Sequence, residues 1–307
     1  MAAQVQDKVV YNSPQQFPEG IDWDAKNGRF LVGSVLKGNI LAIYPDGTTK
    51  EVVKDEEYSG CATLGLQVDL PRNRFVVTVH SNNPAAPYDG VAAYDLDSGK
   101  RQFLTKLSDV PVETPPVNLP IFANDSAVDA ATGEVYITDT QRSLLWKTDA
   151  DGSNPRLFSG DPLFAAFPKV YFGPFDFGLN GLVVHQDGYI ITTHVGAGVA
   201  YKVPLDGSPV KKVEIDGLFP GADGIRFRPD GRLVVTSDEC VYLVESTDGW
   251  ETAKILDKVP QDPSISTTAV AIRDGRAYIN YAFFAEAFGG KERSEFFLQT
   301  ADFRVDK

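Results

Sequence analysis

Residues 124–140 read NDSAVDAATGEVYITDT. An apolar run leads into a tight turn at Thr132-Gly133, and a second run, Glu134 to Thr138, leads out of it. Alternating apolar and polar residues on both sides of a glycine-bearing turn are the signature of a β-hairpin. A polar residue, Asn124, stands at the head of the first strand. The pattern recurs as GIDWDAKNGRFLVGS from Gly20, GLQVDLPRNRFVVTVHS from Gly65, GLVVHQDGYIITTH from Gly181, GIRFRPDGRLVVTS from Gly224 and AVAIRDGRAYINY from Ala269. The turn residues Gly28, Asn73, Gly133, Gly188, Gly231 and Gly275 span 247 residues in five intervals, about 49 per repeat. Most copies are followed by a third apolar strand, such as Asn39–Tyr44 or Val241–Val244, then a polar turn and a short fourth strand. Six repeats of four strands predict an all-β fold, a six-bladed β-propeller with four-stranded antiparallel blades, as one domain over residues 1–307.

Lys8–Tyr11 reads as a strand ahead of the first repeat. It is expected to pair into the last blade, which closes the ring and protects its edges. Three longer connections break the rhythm: Ser108–Phe122, rich in proline; Asp161–Gly178, dense in aromatics; and Phe283–Phe296. Loops of this length in a compact fold tend to be functional or disordered.

The composition narrows the function. Of 307 residues, 29 are Lys or Arg and 42 Asp or Glu, a net charge of −13 with no basic run, which argues against a nucleic-acid partner. No apolar stretch approaches membrane-spanning length and no secretory signal is visible, so neither a membrane nor an obligate protein partner is expected. The two cysteines, Cys61 and Cys240, fall in different repeats and read as free thiols. The expectation is a cytoplasmic monomer acting on a small molecule.

Counting back from each turn to the head of its first strand gives nine residues to Glu19 and Asn124 and eight to Asn180 and Asp223. The first strands of a propeller run side by side along its central channel, so these positions converge at one mouth. Two carboxylates and two amide oxygens suit a hard divalent cation, Ca²⁺ first, with Mg²⁺, Mn²⁺ or Zn²⁺ as alternatives. The same count reaches Leu64 and Thr267 or Thr268 in the other two blades, which would supply wall. Asp125 follows Asn124, so strand alternation is expected to turn it away from the ion into a supporting role.

The motifs Glu19-Gly20-x-x-Trp23, Asn124-Asp125 with Val128-Asp129-x-x-x-Gly133, Asn180-Gly181-Leu182 with Asp187-Gly188, and Ala222-Asp223-Gly224 cover the chain in order. In this set the chain resembles the senescence marker protein/gluconolactonase/luciferin-regenerating-enzyme family of calcium-dependent propellers, and the related diisopropylfluorophosphatase. The resemblance implies a Ca²⁺ held by Glu19, Asn124, Asn180 and Asp223 beneath a pocket where lactones, esters or organophosphates are hydrolysed. Sugar lactonases of the family often carry Arg two residues before the Asn-Asp pair. Phe122 stands there in this chain, and Ile21 replaces the proline usual after Glu-Gly.

The expected activity is metal-dependent hydrolysis of a small, hydrophobic lactone or ester. Asp223 is the candidate general base or nucleophile and Glu19 the other catalytic carboxylate. Organophosphate hydrolysis, a metal-dependent isomerisation, cyclisation or condensation, and simple small-molecule binding are the alternatives, because a fold does not fix a reaction. Phe122, Phe172, Phe175 and Phe177 are candidate substrate contacts, since both loops that carry them lead into the ligand strands. His80 and His194 end second strands at the same mouth; a substrate or proton-shuttle role competes there with that of an ordinary surface histidine. His185 lies toward the opposite end and reads as structural. No nucleophile elbow, phosphate loop or CxxC pair is present.

Overall fold

The computed structural model describes residues 6–111, 119–172 and 175–306, with the side chains of 170–172 and 175 outside the description. Six four-stranded antiparallel blades form a β-propeller; blade 5 gains a short parallel edge strand, Glu214–Ile215, and blade 6 takes its outer strand from the N-terminal segment. Their first strands are Ile21–Asp24, Ala62–Asp69, Ala123–Val128, Leu179–His185, Ala222–Phe227 and Thr267–Arg273, in blades 1 to 6. All six first-hairpin turns have positive φ, from 51° at Asn73 to 83° at Gly133, the region that favours Gly and Asn.

The ring closes as expected. Lys8–Asn12 pairs antiparallel with Glu295–Thr300 and becomes the outer strand of blade 6. Tyr11 and Val9 are buried by this pairing, and Thr300 donates to the Asp7 carbonyl at 2.8 Å. The core lies between blades. Val76, Val91 and Ala93 of blade 2 pack on Val128, Ile137 and Trp146 of blade 3, all buried. Each such aliphatic side chain contributes about 1.5–3 kcal/mol by leaving water. Both faces of every sheet are covered, which is why the second strands read as continuous apolar runs rather than alternating ones.

Two of the long connections gain structure of their own. Asp161 caps a turn of 3-10 helix, Pro162–Ala165, and Val170–Phe172 pairs with Phe175–Phe177 as a small hairpin leading into blade 4. The third holds a short helix, Phe284–Phe288.

At the channel mouth the ladders are irregular in a repeated way. In blades 2 to 6 the register between first and second strands shifts at the strand head: between Thr63 and Leu66, Ala123 and Ser126, Leu179 and Leu182, Ala222 and Ile225, and Thr267 and Val270. Three steps on the first strand face two on the second, so one extra residue bulges toward the axis. Hydroxyls of the second strands hold the freed carbonyls. Thr78 donates to the Asn124 carbonyl, Thr192 to Gly181 at 2.9 Å, Thr193 to Asp223 at 3.3 Å and Thr236 to Gly224 at 2.9 Å.

Candidate functional site

The bulges contain Asn124-Asp125, Asn180-Gly181 and Asp223-Gly224, and Glu19-Gly20 occupies the same place in blade 1. The residues after the counted positions are Gly20, Gly65, Asp125, Gly181, Gly224 and Ala269. The strands approach so closely here that a Cβ on Gly20 would strike the Leu64 carbonyl, and one on Gly181 the Asp223 carbonyl. Asp125 is the one long side chain in this ring, and a Cβ on Gly65 would collide with its carboxylate.

Glu19, Asn124 and Asn180 are 7%, 3% and 4% exposed, and Asp223 is half-buried. Glu19 is fixed from blade 6: Thr268 Oγ1 donates to its carbonyl at 2.6 Å and Asn280 Nδ2 at 3.0 Å. The Asn180 side chain beside Asp223 lowers that carboxyl's proton affinity, against the burial that raises it. Two oxygens of the set have no partner although they are buried, Glu19 Oε2 and Asn180 Oδ1. Such atoms are costly unless something fills their valence. Burial pushes the Glu19 carboxyl well above the usual range, and the charges of Asp223 and Asp125 push it further. Burial, Asp238 and Asp125 do the same to Asp223. Beneath these groups lies a cavity of about 10 Å³, room for one water or ion, lined by Glu19, Asp125, Asp223 and Arg226 among others. Asp125 lines this cavity too, and its carboxylate accepts from the Ser126 and Leu182 amides. Its carboxyl is pushed up to about 6, by burial against the pull of Arg226.

The donor chemistry fits a cation: excess negative charge, orphaned oxygens and no lysine or arginine in the ligand set. Among the described residues no three of His, Cys, Asp and Glu group as a metal-ligand set; the candidate set depends on its two asparagines.

His80 and His194 are buried, not surface histidines. His80 Nδ1 lies 2.8 Å from Asp89 Oδ1, and its ring stacks on Phe122 with centroids 3.8 Å apart. His194 Nδ1 accepts from the Ala197 amide at 3.1 Å, and burial followed by the Lys169 charge pushes the ring down to about 4, so it is neutral. His185 stacks on Tyr189 at 4.5 Å at the far end of blade 4. Phe122 packs with Ala62, Leu64 and Phe177 in an apolar cluster beside the ligand strands, Phe177 being half-buried. The side chains of Phe172 and Phe175 lie outside the described residues. Phe164 is fully buried against Tyr201, so it is packing rather than pocket wall.

Three acidic residues of this region are absent from the sequence-based set. Asp89 accepts from the Ala123 amide at 2.8 Å as well as meeting His80. Asp139, fully buried, accepts from the Phe122 amide at 3.1 Å, the Arg142 amide at 3.1 Å and Trp146 Nε1 at 3.3 Å, and burial raises it to about 6. Asp238 raises Asp223 from the next loop. Counting forward from the turns, six residues in five blades and seven in blade 2, reaches Ser34, His80, Asp139, His194, Ser237 and Tyr281. That forward count is the signal that finds Asp139.

No protein-family model matches the chain, and no curated protein does. Solved structures do. The Malassezia sympodialis allergen Mala s 1 is 20% identical with a TM-score of 0.79, over 97% of each chain. A luciferin-regenerating enzyme is 14% identical with a TM-score of 0.59, over 96% of each. A Xanthomonas campestris gluconolactonase is 15% identical with a TM-score of 0.58, over 98% of this chain and 92% of its own. Two propeller types named from the motifs are thus structural neighbours, and identities this low establish the shared fold. Among the described residues no helix is long and apolar enough to cross a membrane.

Proposed function

We propose that this chain is a divalent-cation-dependent hydrolase of a small, apolar lactone or ester. The observation that carries the reading is the pair of orphaned buried oxygens, Glu19 Oε2 and Asn180 Oδ1, beside two carboxylates with no cation in their own set. Glu19, Asn124, Asn180 and Asp223 would hold the ion, and oxygen donors alone favour Ca²⁺. When bound, such an ion acts as a Lewis acid toward a carbonyl or phosphoryl oxygen.

The chain's own residues supply the rest. Asp223 keeps partial access to solvent at the mouth, where a carboxylate beside the ion would act as the general base that takes a proton from water. Phe122, Leu64 and Phe177 form an apolar wall that excludes water and positions a hydrophobic substrate body. His80, fixed by Asp89 and stacked on Phe122, buttresses that wall. The unbridged thiols Cys61 and Cys240 support a cytoplasmic setting.

The test is a panel of alkyl and aryl lactones and aryl esters assayed with and without a chelator. Hydrolysis that disappears on chelation and returns with Ca²⁺ is expected. Hydrolysis indifferent to chelation, or intact in Asp223→Ala, would refute the reading.

A further inference from the structure

Below the ligand set the channel is crossed by one cation. Arg226, in the first strand of blade 5, donates from Nη2 to the Leu66 carbonyl of blade 2 at 2.9 Å. The same nitrogen lies 3.6 Å from Asp22 Oδ2 of blade 1. Asp22 in turn accepts from the Val68 amide of blade 2 at 2.8 Å. Asp125 of blade 3 accepts from the Ser126 amide at 2.8 Å and from the Leu182 amide of blade 4 at 3.4 Å. Both side chains of the salt bridge are only 14% exposed. Asp125 and Arg226 line the same small cavity, and Arg226 is the sole basic residue doing so.

Glu19, Asp125 and Asp223 line that cavity and Asp22 adjoins it, so four carboxylates surround one guanidinium. A single divalent ion at the mouth would leave two of the four uncompensated without Arg226. Charge buried in this way must be paired. A guanidinium suits the task because its fork of donors can serve a carbonyl and a carboxylate together, and it stays charged at any working pH.

We infer that Arg226 is a positioning residue, a built-in counter-ion that pairs with Asp22 and ties blades 1, 2 and 5 across the axis beneath the ligand set. It does there what a second bound cation would otherwise have to do. The inference concerns residues below the proposed cation site and does not require that site to be correct.

A double-mutant cycle in chelator at pH 8 tests it, using Arg226→Met, Asp22→Asn and the pair, read by thermal unfolding. Arg226→Met is expected to lower the melting temperature by about 5–10 °C. Asp22→Asn should lower it in the wild-type background, where it leaves the guanidinium unpaired, and raise it in Arg226→Met. Arg226→Lys should recover part of the loss, keeping the charge but not the reach to both Leu66 and Asp22. Calorimetric titration with Ca²⁺ alone should find one more ion bound by Arg226→Met than by wild type, whether wild type binds one or none. A wild-type count of none would count against the proposed function and not against Arg226. Additive effects in the cycle, or equal ion counts, would overturn the inference. If Arg226→Met does not fold, the cycle of Arg226→Gln with Asp22→Asn, which removes the charge but keeps a polar side chain, decides it by the same coupling.

Discussion

Removing divalent cations should make the stability of this protein depend on pH in a direction unusual for a protein rich in carboxylates. Glu19 and Asp223 are held well above their ordinary range, and Asp125 rises from 3.8 to about 6. An acid whose folded pKa is raised binds more protons in the folded state than in the unfolded one. Its contribution is fully present below the unfolded value, near 4, and is lost as pH rises through the folded value. For Asp125 the difference of about two pH units corresponds to ~3 kcal/mol lost by pH 7. Asp139, also raised to about 6, acts in the same direction with a similar magnitude. Glu19 and Asp223 extend the loss to higher pH.

A cation should reverse this trend. Its ligands must be deprotonated, so its affinity grows over the range in which the cation-free protein weakens. At a hundredfold excess over the dissociation constant, the ion returns about 2.7 kcal/mol. The assay is thermal unfolding from pH 5 to pH 8.5, in chelator and in Ca²⁺. The two curves should lie close together at the acid end and diverge as pH rises. Glu19→Gln should flatten the chelated curve and shrink the gap. Parallel curves, or a chelated protein that gains stability toward pH 8, would show that the buried carboxylates are not a cation site.

Asp223→Ala and Glu19→Gln should each abolish hydrolysis while the circular dichroism spectrum stays that of the wild type; a folded Asp223→Ala with full activity would exclude the proposed mechanism. Asp139→Ala should cost about 3–5 kcal/mol in denaturant unfolding, since it orphans the Phe122 and Arg142 amides and Trp146 Nε1 together. Gly65→Ala should destabilise by about 1–3 kcal/mol, because its Cβ collides with Asp125; a neutral result would mean that the axial strands can separate. Phe122 stands where sugar lactonases often have Arg, so kcat/KM should favour an alkyl or aryl lactone over gluconolactone of similar ring size. Phe122→Ala should narrow that preference, and a wild-type preference for gluconolactone would remove the apolar wall from the reading.

The sequence alone determined the blade count, the strand order within each blade and the closure of the ring. These follow from short-range signals: a period of about 49 residues, six turns built on Gly or Asn, and apolar runs whose packing partners lie in the adjacent repeat. Two of the four positions found by counting, Glu19 and Asp223, line one small cavity at the axis. Side-chain direction did not follow. The extra residue at the strand heads of blades 2 to 6 is invisible to strand alternation, because a bulge depends on how closely six strands crowd together. His80 and His194 read as surface residues because burial at a strand end is set by neighbouring loops: Phe122 stacks over one, and the segment around Phe167 and Lys169 covers the other. Arg226 and Asp22 lie 204 residues apart in the chain and meet only because the propeller closes, so their pairing across the channel is a property of the tertiary structure alone.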